Sequence, residues 1–211
     1  MKSLKLSELE YAVFDLETTG LYADEGDRVI EVGAVKIKNL KIEDDVFQSL
    51  VNPQRPIPEA SSAIHGIKDH EVKNAPLIDE ILPRFNKYCG NSVWVAQNAR
   101  FDLSFILRDM KRMQIPFRQS VVLDTIGISK ILFPYETRHN LDVMMARMGI
   151  AKTGERHRSL DDCRFTAQVL IEFIKLLEKQ GIQSLQDVES AFIKSDTILK
   201  TRKPKPRSLF A

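Results

Sequence analysis

Apolar and polar positions alternate in two different rhythms along this chain. From residue 11 to residue 51 the apolar positions come as short, β-branched or aromatic runs. Residues 11–16 predict a buried first strand, residues 29–37 a second and residues 46–51 a third, with loops at Asn39 and at Asp44-Asp45 joining them as hairpins. Pro53, Pro56 and Pro58 then impose irregular, extended chain. Residues 61–67 predict a short helical turn closed by Gly66. The helical rhythm follows: Ile78, Ile81, Leu82 and Phe85 in a helix over 77–88, and Phe105, Ile106 and Met110 in one over 101–113. Between them lies a compact, central strand over 92–96. Residues 121–125 predict another strand, leading into helices over 126–132 and 140–148. After a polar loop at 152–158 come the longest helix, 160–179, and a weaker one, 185–193. A meander of strands followed by alternating strands and helices argues for an α/β domain around a mixed central sheet. The expected division is a domain over 1–180 and, over 181–211, a weak helix and a basic, proline-bearing, mobile C-terminal tail.

The first strand carries a conflict. Asp15 sits inside the apolar run and Glu17 just beyond it, before Thr18-Thr19-Gly20. Burying a charge there costs several kcal/mol unless it is compensated. Positions i and i+2 of a strand share a face about 6 to 7 Å apart, so both carboxylates can converge on one site, and a divalent cation is the natural compensator. This stretch alone also admits a turn-capping role or a Lys or Arg partner.

Composition narrows the field without choosing. The 211 residues are 43% hydrophobic, enough for a substantial core, and the net charge of +2 leaves any basic surface a local matter. Cys89 and Cys163 are far apart and lack the spacing of a metal knuckle or a disulfide framework. The N-terminal residues lack the apolar run of a signal peptide and no segment approaches a membrane span, so the expectation is a soluble, cytoplasmic protein.

Two further acids stand at helix starts. Asp102 follows the strand over 92–96, where it could equally serve the helix dipole. In the last long helix, Cys163, Ala167, Leu170, Ile174 and Leu177 form the inward stripe. Asp161 aligns with Gln168, Glu172 and Lys175 on the solvated face, whereas Asp162 aligns with Thr166, Val169 and Phe173 beside the buried stripe. Helical phase therefore selects Asp162. It could also form a capping box with Ser159, a role compatible with binding a metal. His157, on the preceding loop, has an unperturbed pKa near 6.5 that suits a general base. Four hard carboxylates suit Mg²⁺ or Mn²⁺, two of which can activate water and stabilise a leaving oxygen in phosphodiester hydrolysis.

Three stretches carry a family resemblance: Asp15-Leu16-Glu17-Thr18-Thr19-Gly20, Asn98-Ala99-Arg100-Phe101-Asp102 and His157-Arg158-Ser159-Leu160-Asp161-Asp162. In order and residue type they resemble the three exonuclease motifs of the DEDDh 3′-to-5′ exonucleases, which include the proofreading epsilon subunit of bacterial DNA polymerase III, ribonuclease T and oligoribonuclease. Ile30-Glu31-Val32-Gly33-Ala34, Ile64-His65-Gly66-Ile67, Asp124-Thr125 and Asn140-Leu141-Asp142 extend the similarity over residues 10 to 178. The resemblance implies a ribonuclease H-like fold with a five-stranded mixed sheet. It implies that Asp15, Glu17 and Asp162 hold one ion, that Asp15 and, through water, Asp102 hold a second, and that His157 deprotonates the attacking water. It also implies contacts to the terminal nucleotide at Thr18, Thr19 and His65. Gln97, where many relatives have histidine, and Ser159 and Cys163, in place of common alanines, depart from the pattern without removing a ligand.

The activity so implied is removal of nucleoside 5′-monophosphates from the 3′ end of single-stranded DNA, in proofreading or repair, with a DNA polymerase subunit as a partner. An exoribonuclease with the same site, and a nucleic-acid- or polymerase-binding module with an idle site, are the alternatives. Lys200, Arg202, Lys203, Lys205 and Arg207 could touch phosphates. Ser208-Leu209-Phe210 resembles the end of sliding-clamp-binding peptides, which makes a clamp a further candidate partner.

Overall fold

The computed structural model describes residues 4–119, 121–152 and 158–201, with side chains described as far as residue 193. His157 and Ser208-Leu209-Phe210 lie outside the described residues, as do Arg202, Lys203, Lys205 and Arg207 and the side chain of Lys200.

Five strands form one mixed sheet. They are β1 (Tyr11–Thr18), β2 (Val29–Lys38), β3 (Lys41–Leu50), β4 (Val93–Ala96) and β5 (Val122–Asp124), in the order β3-β2-β1-β4-β5. The first three are antiparallel neighbours, and β4 and β5 run parallel to β1. Eight helices are described: α1 (Glu59–His65), α2 (Asp69–Val72), α3 (Ile78–Cys89), α4 (Ala99–Arg112), α5 (Thr125–Leu132), α6 (Leu141–Arg147), α7 (Ser159–Lys179) and α8 (Leu185–Thr201).

Strand alternation sorts β1 between two cores. Ala12, Phe14 and Leu16 face Ile81 and Phe85 of α3 and Phe105 and Met110 of α4. There Phe14, Phe85 and Trp94 meet edge to face with ring centroids 5.1 to 5.7 Å apart. Each such pair adds about 0.5–1.5 kcal/mol to the burial of the rings. Tyr11 and Val13 point the other way, with Val35 and Ile37 of β2, into the stripe of α7 made by Cys163, Ala167, Leu170, Ile174 and Leu177. The sheet is thus covered by helices on both faces, as the expected α/β architecture requires.

Three details differ from expectation. The hairpin between β2 and β3 turns at Asn39 and Leu40, with φ of 51° and 56°, as the expected loop at Asn39 requires, but β3 begins five residues earlier than its β-branched stretch indicates. Asp44 and Asp45 lie inside β3, at an irregularity between the pairs Val35–Val46 and Ile37–Ile42, and not in a loop. They tolerate a strand because β3 is an edge strand and both are exposed. Helix α8 runs to Thr201 instead of stopping at residue 193. Its Val188 enters the α7 core, and its Phe192 ring covers Gly127 of α5, where an added Cβ would come within 2.2 Å of the ring. Among the described residues no helix is long and apolar enough to cross a membrane.

Candidate active site

The alternation that buries Tyr11 and Val13 against α7 continues along β1 to Asp15 and Glu17. Both carboxylates therefore emerge on the face that α7 covers. Across the sheet, β2 places Gly33 opposite Asp15 and Glu31 opposite Glu17. The missing side chain at Gly33 lets the first turn of α7 descend onto the sheet: a Cβ there would lie 2.7 Å from the carbonyl carbon of Ser159. That turn carries Asp162. One carboxylate oxygen from each of Asp15, Glu17 and Asp162 lies within 4.8 Å of the other two, with Glu17 and Asp162 buried and Asp15 half-buried. Helical phase separates the acid pair: Asp162 is 6% exposed, while Asp161 pairs with Arg164 at 3.4 Å on the surface.

Asp102 joins from the other side of the sheet. β4 last pairs with β1 at Val13, so the Leu16 N–H has no strand neighbour on that side and donates to Asp102 Oδ1 at 3.0 Å. Asp102 is thereby fixed to the backbone between Asp15 and Glu17. Three carboxylates this close repel one another by roughly 3–4 kcal/mol per pair at an effective dielectric constant of 20. An all-oxygen donor set of this density fits a hard divalent cation.

The neighbouring turn is tightly tied. Thr19 N–H donates to the Arg28 carbonyl at 2.8 Å, and its carbonyl accepts from the Ser61 hydroxyl at 2.9 Å. Its Oγ1 donates to Asp27 and accepts the Arg28 N–H, while the Thr18 hydroxyl donates to the Gly20 carbonyl. His65 is buried at the end of α1, and its Nδ1 accepts the Ile67 N–H at 3.1 Å. Gln97 accepts from the Thr125 hydroxyl and donates to the His139 carbonyl, so it links the ends of β4 and β5 to the segment before α6.

The Exonuclease family model matches residues 12–170. The chain belongs to the exonuclease family. It is 39% identical over 193 residues to a DNA polymerase III PolC-type of Caldanaerobacter subterraneus subsp. tengcongensis, covering 92% of this chain and 14% of that protein. It is 40% identical over 179 residues to a DNA polymerase III subunit epsilon-like protein of Rhodobacter capsulatus, covering 84% of this chain and 25% of that one. The chain therefore spans from a seventh to a quarter of these relatives. Among solved structures it is similar to exonuclease X in complex with 5′ overhanging duplex DNA (TM-score 0.66, 25% identity, 86% of this chain and 99% of that one). The nuclease domain of 3′hExo, described as a DEDDh family member bound to rAMP, shares the fold (TM-score 0.69, 16% identity, 81% and 94% coverage). The resemblance read from the three motifs and the ribonuclease H-like fold agree with these findings.

Two features of this exonuclease-family site were not anticipated. Glu31, 1% exposed on β2, accepts from the Ser159 N–H at 3.0 Å, from Arg158 at 3.2 Å and from Gln48 at 3.0 Å. Burial by itself raises the pKa of Glu31, but the Arg158 guanidinium and the Ser159 amide more than offset it and hold the carboxyl below the usual glutamate value. Ser159 is consequently the first residue of α7 and not a side-chain cap for it; its amide is satisfied from 128 positions away. The available signal was a lone acid in the β-branched run over 29–37.

The second feature is electrostatic. Complete burial, opposed by the Leu16 amide and by its own backbone N–H and reinforced by the charge of Asp124, pushes Asp102 up to about 8. An unfolded aspartate loses its proton near 3.9, so between there and pH 8 the folded state holds more protons than the unfolded one. Stability without added metal should then fall as pH rises through that window. Between pH 6 and pH 9 the melting temperature is expected to drop by at least the 2–4 °C that about 1 kcal/mol represents in a chain of this size. Asp102→Asn should flatten that slope. Thermal melts of both proteins in EDTA would check this, and an unchanged slope in the variant would refute it.

Proposed function

We propose that the chain is a metal-dependent 3′-to-5′ exonuclease that removes nucleoside 5′-monophosphates from single-stranded DNA ends, in proofreading or repair beside a DNA polymerase. The observation that carries this reading is the convergence of Asp15, Glu17 and Asp162 within 4.8 Å, with Asp102 anchored on the intervening Leu16 amide. Asp15, Glu17 and Asp162 would hold one divalent cation, and Asp15 with Asp102 a second. The cations supply Lewis-acid stabilisation of the charge that develops on the scissile phosphate. His157, just before α7 in the chain, takes the proton of the attacking water. The turn at Thr18 and Thr19, rigid through its bonds to Arg28, Asp27 and Ser61, with His65 buried nearby on α1, receives the terminal nucleotide. The polymerase-named relatives support DNA as the substrate and a polymerase as the partner.

The test is a pair of 5′-labelled oligonucleotides of one sequence, DNA and RNA, incubated with Mg²⁺ or Mn²⁺. The expected result is a ladder of shortened DNA products, with RNA cut more slowly, and no cleavage in EDTA. Absence of a ladder on both substrates would sink the exonuclease reading, and faster digestion of RNA would replace its substrate.

A further inference from the structure

Outside the carboxylate cluster, the most informative buried group is Glu31. It is an acid sealed at 1% exposure on the face of β2 that meets α7, and it takes no place among the proposed ligands. Its three donors are the Ser159 N–H, Arg158 and Gln48, two of which belong to the entry of α7. The first N–H groups of a helix have no intrahelical acceptor, and a carboxylate there is doubly favourable because it also meets the positive end of the helix dipole. The seat has a second component two residues along. Gly33 lies directly under Ser159, with the Ser159 carbonyl carbon, its Oγ and the Leu160 nitrogen 2.7 to 2.8 Å from where a Cβ would stand. Glu31 thus pulls the helix end down, and Gly33 sets how far it can descend.

The register converts this seat into site geometry. Gly33 is the cross-strand partner of Asp15, and Glu31 that of Glu17. Asp162 is one turn beyond Ser159, and its N–H donates to the Arg158 carbonyl at 3.0 Å. A shift of the Arg158–Ser159 backbone is therefore transmitted to Asp162, while Asp15 and Glu17 stay with the sheet. We propose that Glu31, together with Gly33, is a positioning device that fixes the first turn of α7 on β2 and thereby sets the distance of Asp162 from Asp15 and Glu17. This rests on the reading of those three residues as a metal site. Glu31 acts through Ser159 and Arg158 and touches neither substrate nor metal.

The experiment uses the full chain and Mn²⁺ alone, without nucleic acid. Calorimetric titration should show Mn²⁺ binding in the wild type and its loss in Asp162→Asn. Glu31→Ala should weaken Mn²⁺ binding about 10–100-fold, the usual effect of removing a group that orients a ligand. Glu31→Gln, which still offers an oxygen to the Ser159 amide, should fall between the two. Gly33→Ala should weaken binding as well, although it alters no charge. A separate readout is amide hydrogen exchange, which should accelerate at Ser159 and Asp162 in Glu31→Ala and remain unchanged around Leu170. If the wild type fails to bind Mn²⁺, or Asp162→Asn binds it equally well, the metal-site reading is wrong. If those controls behave and Glu31→Ala binds like wild type with Ser159 still protected, the positioning role is overturned. Should Glu31→Ala fail to fold, Glu31→Gln and Gly33→Ala decide the matter, and wild-type affinity in both overturns the proposal.

Discussion

Replacing Asp15 with asparagine is expected to cut hydrolysis of a single-stranded oligonucleotide by a thousandfold or more while leaving the protein folded. Asparagine preserves the size of the side chain and its place on β1, so neither the strand nor the core around Tyr11 and Val13 is disturbed. What changes is charge. Asp15 is the most exposed of the three clustered acids, and in the reading proposed above it holds both cations, so its loss should weaken each of them. One charge at about 4 Å contributes roughly 4 kcal/mol per unit of opposing charge at an effective dielectric constant of 20. Each 1.36 kcal/mol lost from the transition state is tenfold in rate, so about 4 kcal/mol corresponds to about a thousandfold. The stability of the metal-free protein should move the other way, or not at all, because one of three mutually repelling carboxylates has been removed. Initial rates in excess Mn²⁺, with thermal melts of both proteins, measure the two effects together. Activity within tenfold of wild type would remove Asp15 from the reaction.

The parts of this site that could be read in the sequence follow short periods. Asp15 and Glu17 share a face because a strand repeats every two residues, and the same rule that puts Tyr11 and Val13 against α7 puts the acids there. Asp102 was visible as an acid at a helix start. Its hold on the Leu16 amide was not, since that depends on where β4, distant in sequence, stops pairing with β1 and brings Asp102 to a residue 86 positions before it. Glu31 stands in a β-branched run where nothing local indicates a task, because its donors arrive with the chain around residue 158. A local capping box between Ser159 and Asp162 was the reasonable expectation, and a distant carboxylate had taken the Ser159 amide instead. The same limit explains the elements. Asp44-Asp45 signals a break in regular structure, which an edge strand can absorb as an irregularity in pairing. The length of α8 depends in part on Phe192 finding Gly127 of α5, which no periodicity within α8 reveals.

A sharper test of helical phase comes from two adjacent residues of identical chemistry. Asp162→Asn is expected to reduce activity about as severely as Asp15→Asn, whereas Asp161→Asn should leave it within about twofold, less than the effect of 0.5 kcal/mol on a barrier. The two side chains differ by about 100° around the helix. That rotation carries one into the cluster with Asp15 and Glu17 and the other out to Arg164. An exposed pair of that kind is worth about 0.3–0.5 kcal/mol, so losing it should lower the melting temperature by only about 1–2 °C. The contrast also bears on the function of α7 as a whole. If Asp161→Asn were the damaging change, the helix would have to turn by more than a quarter of a revolution in the working enzyme. That would lift Cys163, Ala167 and Leu170 out of the core that Tyr11 and Val13 help to build. Parallel rate measurements on the two asparagine variants therefore test the acid assignment and the packing of the longest helix in one comparison.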